Sequence, residues 1–162
     1  MTFREKICIW LFDKSKIPYA KYFKQDKAKW SYTRASLLLY PKSSLGYAIG
    51  NFLDSNDFEM IPKLERHDAY HVITGIGIEV ADEIALQFFF LGNGKKSFYL
   101  FGVVIIGLFL IPENYFKYFA AYYRGQNAAP LYHLNVEESL SDDLHSIQTQ
   151  IFPSILSFQL IS

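Results

Sequence analysis

His67 and His71 stand four residues apart. On an α-helix that spacing turns both imidazoles to one face, a single turn from each other. Two imidazoles so placed bind one divalent metal, as histidine pairs at this spacing do in zinc proteases. Asp68 lies next to His67 around the helix; it offers a third ligand or an acceptor that orients a histidine ring. Glu83 follows twelve residues after His71, with Glu79 as its rival. Asp68 also argues against a protease, because it is one methylene shorter than the glutamate those enzymes use as general base. The chain has no Glu-x-x-His pair of the kind paired-iron bundles use, so a single metal is the simpler reading.

For Glu83 to join the histidines the chain must reverse between them. A helix is expected over Leu64–Thr74, and an unbroken continuation would leave Glu83 three turns from His71. Gly75 and Gly77 supply the break, since glycine adopts the backbone angles that end helices. A following helix, Glu79–Leu91, then folds back and presents Glu83, while Val80, Ile84, Ala85, Phe88 and Leu91 share its apolar face. Gly92-Asn93-Gly94 ends it. Upstream, the pattern predicts helices over Phe3–Lys16 and Leu45–Leu53, the second capped from Ser43-Ser44. The apolar run Ala35–Tyr40 is closed by Pro41. Downstream, Pro112 suits the first position of a helix that runs to Arg124, with Gly125 just past its end. Asn135 with Glu138 resembles a capping box opening a last helix striped by Leu140, Leu144 and Ile147. His133, Glu137, Glu138 and His145 are assigned to that capped surface helix rather than to a second site. No stretch alternates as a strand does. The fold expected is all-α, a compact single-domain bundle of seven to eight helices, with residues 1–42 an N-terminal segment packed on a 43–162 core.

Half of the 162 residues are hydrophobic and 18% are aromatic, which excludes a disordered chain. Net charge is zero, yet residues 1–42 carry ten Lys/Arg against three Asp/Glu. That basic end, interleaved with Trp10, Tyr19, Tyr22, Phe23, Trp30 and Tyr32, reads as a solvated face or as one that meets an anionic membrane. It lacks any nucleic-acid-binding motif, so no nucleic-acid partner is expected. Cys8 is the single cysteine, so no internal disulfide forms and a reducing compartment fits. Phe98–Ile111 is an uninterrupted apolar run of fourteen residues. As a helix it spans roughly 21 Å, short of a hydrocarbon core of roughly 30 Å, so no transmembrane helix is expected. It reads as a buried central helix, with lipid contact as the alternative. The run Ile7–Phe12, stopped by Asp13, is too short for a signal core. The aromatic-rich composition favours a homodimer.

The pattern His67-Asp68-x-x-His71, then eleven residues, then Glu83, resembles the signature of the ubiquinone (coenzyme Q) biosynthesis protein 4 family. Ser44-Leu45-Gly46 is similar to that family's Thr-Leu-Gly element, and Glu83-Ile84-Ala85-Leu86 to its Gly-Glu-x-Ala segment. Arg124-Gly125-Gln126-Asn127-Ala128-Ala129-Pro130-Leu131 is similar to its Arg/Gly loop ending in Pro-Leu. The ordered set covers roughly residues 44 to 147. Asp82 stands where the family has Gly, Gln87 replaces a common Lys, and the first forty residues have no counterpart.

The resemblance implies a metal site of His67, Asp68, His71 and Glu83, with zinc the metal usually cited. It implies a protein of quinone assembly that binds polyprenylated ring intermediates at a membrane surface. Such a protein either organises a complex of quinone-biosynthesis proteins or removes the ring carboxylate, coupled to oxidation. A cytoplasmic protein, peripheral on the inner membrane face and without signal or transit peptide, is the expected setting. Phe88, Phe101 and Ile105 are candidates to line a prenyl channel, though core packing explains them equally well. Arg124 is a candidate partner for a lipid phosphate, though an arginine near a helix end also suits the helix dipole. An enzyme needs the ligands plus a vacant coordination position, whereas a closed four-ligand site favours a scaffold or lipid-binding protein with a structural metal.

Overall fold

A computed structural model describes residues 2–11, 14, 30–62 and 64–153. Among them residues 3–11 form helix α1. The remaining helices are α2 (Arg34–Leu37), α3 (Leu45–Ser55), α4 (Glu65–Thr74), α5 (Val80–Gly92), α6 (Phe98–Leu110), α7 (Tyr115–Gln126) and α8 (Leu144–Ile151). Two 3₁₀ turns, Pro112–Asn114 and Leu131–His133, complete the order. The described residues contain no strand, and the fold is all-α as expected. The expected end of α1 at Lys16 and the aromatic positions Tyr19, Tyr22 and Phe23 lie outside the described residues.

The contacts divide the chain into two compact units, one of Lys16–Gly75 with Asn135–Gln150, the other of Met1–Ser15, Ile76–Leu134 and Ile151–Ser162. In the first, Ser44 caps α3 by accepting from the Tyr47 amide at 3.2 Å. Leu45, Ile49 and Leu53 then fall on one buried stripe, as an i, i+4, i+8 spacing requires. Gly50 lets α2 approach: a Cβ there would lie 2.9 Å from the Leu38 amide nitrogen.

The Asn135–Glu138 signal opens a series of turns, not the last helix, and α8 starts only at Leu144. The Leu140 and Asp142 carbonyls accept from the Gly46 and Leu45 amides at 2.8 and 2.9 Å. They satisfy donors that the first turn of α3 leaves without helical partners, and so are diverted from continuing a helix. Asp143 caps α8 instead, accepting from the Ser146 amide at 2.9 Å. Farther along α8, Gln148 donates to the Ile73 carbonyl at 3.2 Å, serving the last turn of α4.

The second unit is organised by the crossing of α5 and α7. A Cβ at Gly92 would lie 2.0 Å from the Tyr122 carbonyl oxygen, and one at Gly125 equally close to that of Phe89. The two backbones thus touch where both helices carry glycine. Asn93 locks the crossing: its Nδ2 donates to the carbonyls of Gly125, Ala128 and Ala129 at 3.0, 3.1 and 3.0 Å. Its Oδ1 accepts from the Leu131 amide at 2.8 Å. Gly125 therefore belongs to the last turn of α7, one of two corrections to the expected helix ends here. The other is Pro112, which opens a 3₁₀ turn rather than α7 itself.

Helix α6 packs on α5 through Gly107, where a Cβ would meet Ile84 Cγ2 at 2.4 Å. Only Leu100, Val104 and Gly107 of this helix are buried. Phe98, Phe101, Ile105, Ile106, Leu108 and Phe109 are exposed, so the expected buried central helix is buried on one face alone. The cause is composition: apolar residues on every side of a helix cannot reveal which side the neighbours will cover.

Candidate metal site

Helix α4 is placed by its apolar residues and stopped by its glycine. Ala69, Tyr70 and Ile73 are buried, while Gly75 adopts the left-handed φ of 65° and donates its amide to the His71 carbonyl at 2.8 Å. Between these fixtures the two histidines face each other. Their Nε2 atoms lie 3.1 Å apart and the rings meet edge to face. Two nitrogens bound at roughly 2.0–2.1 Å to one tetrahedral or octahedral ion stand about 2.8–3.4 Å apart, so the pair suits a shared ion. The same separation is a hydrogen bond when one nitrogen carries a proton and the other does not.

His71 is only 3% exposed. Its ring stacks on Phe52 of α3, with centroids 5.9 Å apart and planes 9° from parallel, and Phe52 in turn meets Phe58 edge to face. Phe52 is a site residue that sequence reasoning did not find. Nothing in its local pattern separates it from any other apolar position of α3, and its role follows from a contact nineteen residues away in the chain.

Glu83 lies in the first turn of α5, half-buried, with its amide bonded to the Glu79 carbonyl at 2.9 Å. Its rival Glu79 is the exposed N-cap of that helix. The paired imidazoles of His67 and His71 belong to one unit and Glu83 to the other. Imidazole is a borderline donor and suits zinc or a similar divalent cation. Asp68 is half-buried beside His67 on α4, and His133, Glu137, Glu138 and His145 form no metal-binding group among the described residues.

The residues considered for lipid separate by burial. Phe88 is 3% exposed and stacks on Tyr118 at 5.1 Å, so it packs the core of its unit. Phe101 and Ile105 point outward from α6. Arg124 is half-buried with its guanidinium 4.4 Å above the Phe152 ring, and burial lowers its pKa.

Among the described residues, fold and histidine pair together define a helical protein with a candidate divalent-metal centre. Residues 60–152 match the family described as coenzyme Q (ubiquinone) biosynthesis protein Coq4. The match takes in more than half of the chain, and the chain belongs to that family, with the role in coenzyme Q biosynthesis that membership supports. Among solved structures, a crystal structure of a Nostoc punctiforme protein, described there as a candidate ubiquinone biosynthesis protein, is similar over 94% of this chain and 83% of its own. The TM-score is 0.67 and the identity 16%, a likeness of fold. No curated protein matches the chain.

Proposed function

We propose that this protein binds one divalent metal ion, zinc by preference, and acts on a polyprenylated ring intermediate of coenzyme Q biosynthesis by removing its ring carboxylate. The observation that carries the reading is the facing pair His67 and His71, held by the stack on Phe52 and the cap at Gly75. Glu83 is the proposed third ligand, and Asp68 completes the set as a further carboxylate or as the acceptor that orients an imidazole. A bound ion would supply Lewis-acid stabilisation of the charge left on the ring as the carbon–carboxylate bond breaks; carbon dioxide leaves, the electron pair passes to the oxidant, and a hydroxyl oxygen bonds to the ring carbon in its place. Three protein ligands would leave a coordination position open to the substrate; Asp68 bound as a fourth would close it and favour a lipid-binding scaffold with a structural metal. The experiment is turnover. Zinc-loaded protein given a polyprenyl hydroxybenzoate-type substrate and an oxidant should release carbon dioxide, and the rate should fall with a chelator. Full metal occupancy with no carbon dioxide would leave the scaffold reading.

The substrate's prenyl tail implies a membrane-surface setting, and α6 is the element proposed to meet it. No single helix among the described residues is long and apolar enough to cross a membrane. The outward side of α6 nonetheless carries Phe98 and Phe109, 92% and 81% exposed, two aromatic side chains left almost wholly in water. With Phe101 and Ile105 also exposed on this helix, its apolar surface is the element proposed to meet the lipid. Arg124 is the proposed cation for a lipid phosphate. A homodimer and other quinone-biosynthesis proteins are proposed partners of the same assembly. The Phe101→Ser/Ile105→Ser variant is expected to lose at least about fivefold in partition to anionic phospholipid vesicles by flotation. Unchanged partition would remove α6 from the reading.

A further inference from the structure

Asp82 is the residue at which α5, the linker before it and α7 are joined. Its Oδ1 accepts from Lys117 Nζ of α7 at 2.8 Å, and its Oδ2 accepts from the Glu79 amide at 3.3 Å. The linker runs close by the same carboxylate: a Cβ at Gly77 would lie 2.5 Å from Asp82 Oδ2. One side chain, 17% exposed, thus ties the cap of α5 to a neighbouring helix, with Gly77 leaving the room it needs. The next residue is Glu83. Around an α-helix consecutive residues are about 100° apart, so fixing the direction of Asp82 fixes that of Glu83. His71 is held by its stack on Phe52; the ion pair with Lys117 does the corresponding work for the first turn of α5. It also offsets the charge that Asp82 places beside Glu83.

We propose that Asp82 is the positioning residue for Glu83, acting with Lys117 to hold the first turn of α5 in the rotation that presents the Glu83 carboxylate to a divalent cation. The inference rests on the metal reading above. It predicts that the pair behaves as a unit: losing either partner frees the turn, and losing the second adds little.

The test uses the full chain, with zinc affinity by chelator competition, the visible spectrum of the cobalt(II)-loaded protein, and amide exchange of the metal-free protein at Glu83. Asp82→Asn keeps an acceptor for the Glu79 amide and drops only the charge, and Lys117→Gln drops the donor's charge at a half-exposed site; both should fold. Each is expected to weaken zinc about tenfold, the range for groups that orient metal ligands, and the double variant by no more than either alone. The cobalt spectrum should shift, and Glu83 should exchange several-fold faster, while Phe89 and Phe90 at the far end of α5 keep their rates. Zinc affinity within twofold of wild type and an unchanged spectrum in all three variants would overturn the proposal, whatever happens to the melting temperature. Wild-type protein that takes up neither metal would overturn the metal reading instead. Exchange at Glu83 would then decide the rest, an unchanged rate in Asp82→Asn removing the positioning role as well.

Discussion

Protein carrying His71→Ala is expected to purify without stoichiometric zinc and to bind added zinc at least about 100-fold more weakly than wild type. Two effects act together. One nitrogen of the pair 3.1 Å apart is deleted, and the stack that Phe52 makes on the ring is lost with it. Because His71 is buried, part of the loss would register as instability of the metal-free protein, so a second substitution is needed to separate the causes. His67→Ala, at a half-buried position without that stack, and the near-isosteric Glu83→Gln should each lose most of the affinity while keeping the metal-free melting temperature within a few degrees. Elemental analysis of the four proteins, followed by calorimetric titration, checks all of this. Wild type should also melt higher with zinc than without. At a free concentration 100 times Kd the stabilisation is about 2.7 kcal/mol, which for a chain of this size is about 5–10 °C. Zinc retained at full occupancy in His71→Ala would remove the histidine pair from the site.

The largest effect on stability is expected at a residue that touches no ligand. Gly125→Ala puts a Cβ 2.0 Å from the Phe89 carbonyl oxygen, 2.9 Å from its carbon and 3.0 Å from the Asn93 amide. All three neighbours are backbone, so no rotamer change relieves the overlap and α5 and α7 must separate. Separation would also stretch the four hydrogen bonds of Asn93. The cost is about 3 kcal/mol or more, a fall of roughly 10 °C in melting temperature. Gly102→Ala is the control. It lies inside α6 with nothing among the described residues within 4 Å of the new methyl, and alanine exceeds glycine in helix propensity by up to about 1 kcal/mol. That variant should melt at or slightly above the wild-type temperature. Thermal unfolding followed by circular dichroism distinguishes the two, and equal melting temperatures would show that the crossing of α5 and α7 yields more easily than its geometry implies.

Much of this protein was legible in its sequence, because the information was local. The boundaries of α3, α4, α5 and α6 followed from caps, glycines and apolar spacing within a few residues of each end. The facing of His67 and His71 followed from helical periodicity alone, and the family pattern from fixed spacings along residues 44–147. The late start of α8 was not legible. The carbonyls of Leu140 and Asp142 are claimed by amides almost a hundred residues upstream, and no local signal records such a claim.

The same holds for Phe52 beside His71, for Asn93 and for the glycines at the α5–α7 crossing, which in sequence look like helix-ending residues and in space are points of backbone contact. Helix α6 shows the limit most plainly. Its thirteen residues determine that it is a helix and that it is apolar all round, but their near-uniform hydrophobicity carries no direction. Only the packing of Gly107 against Ile84 decided which side is covered and which faces outward.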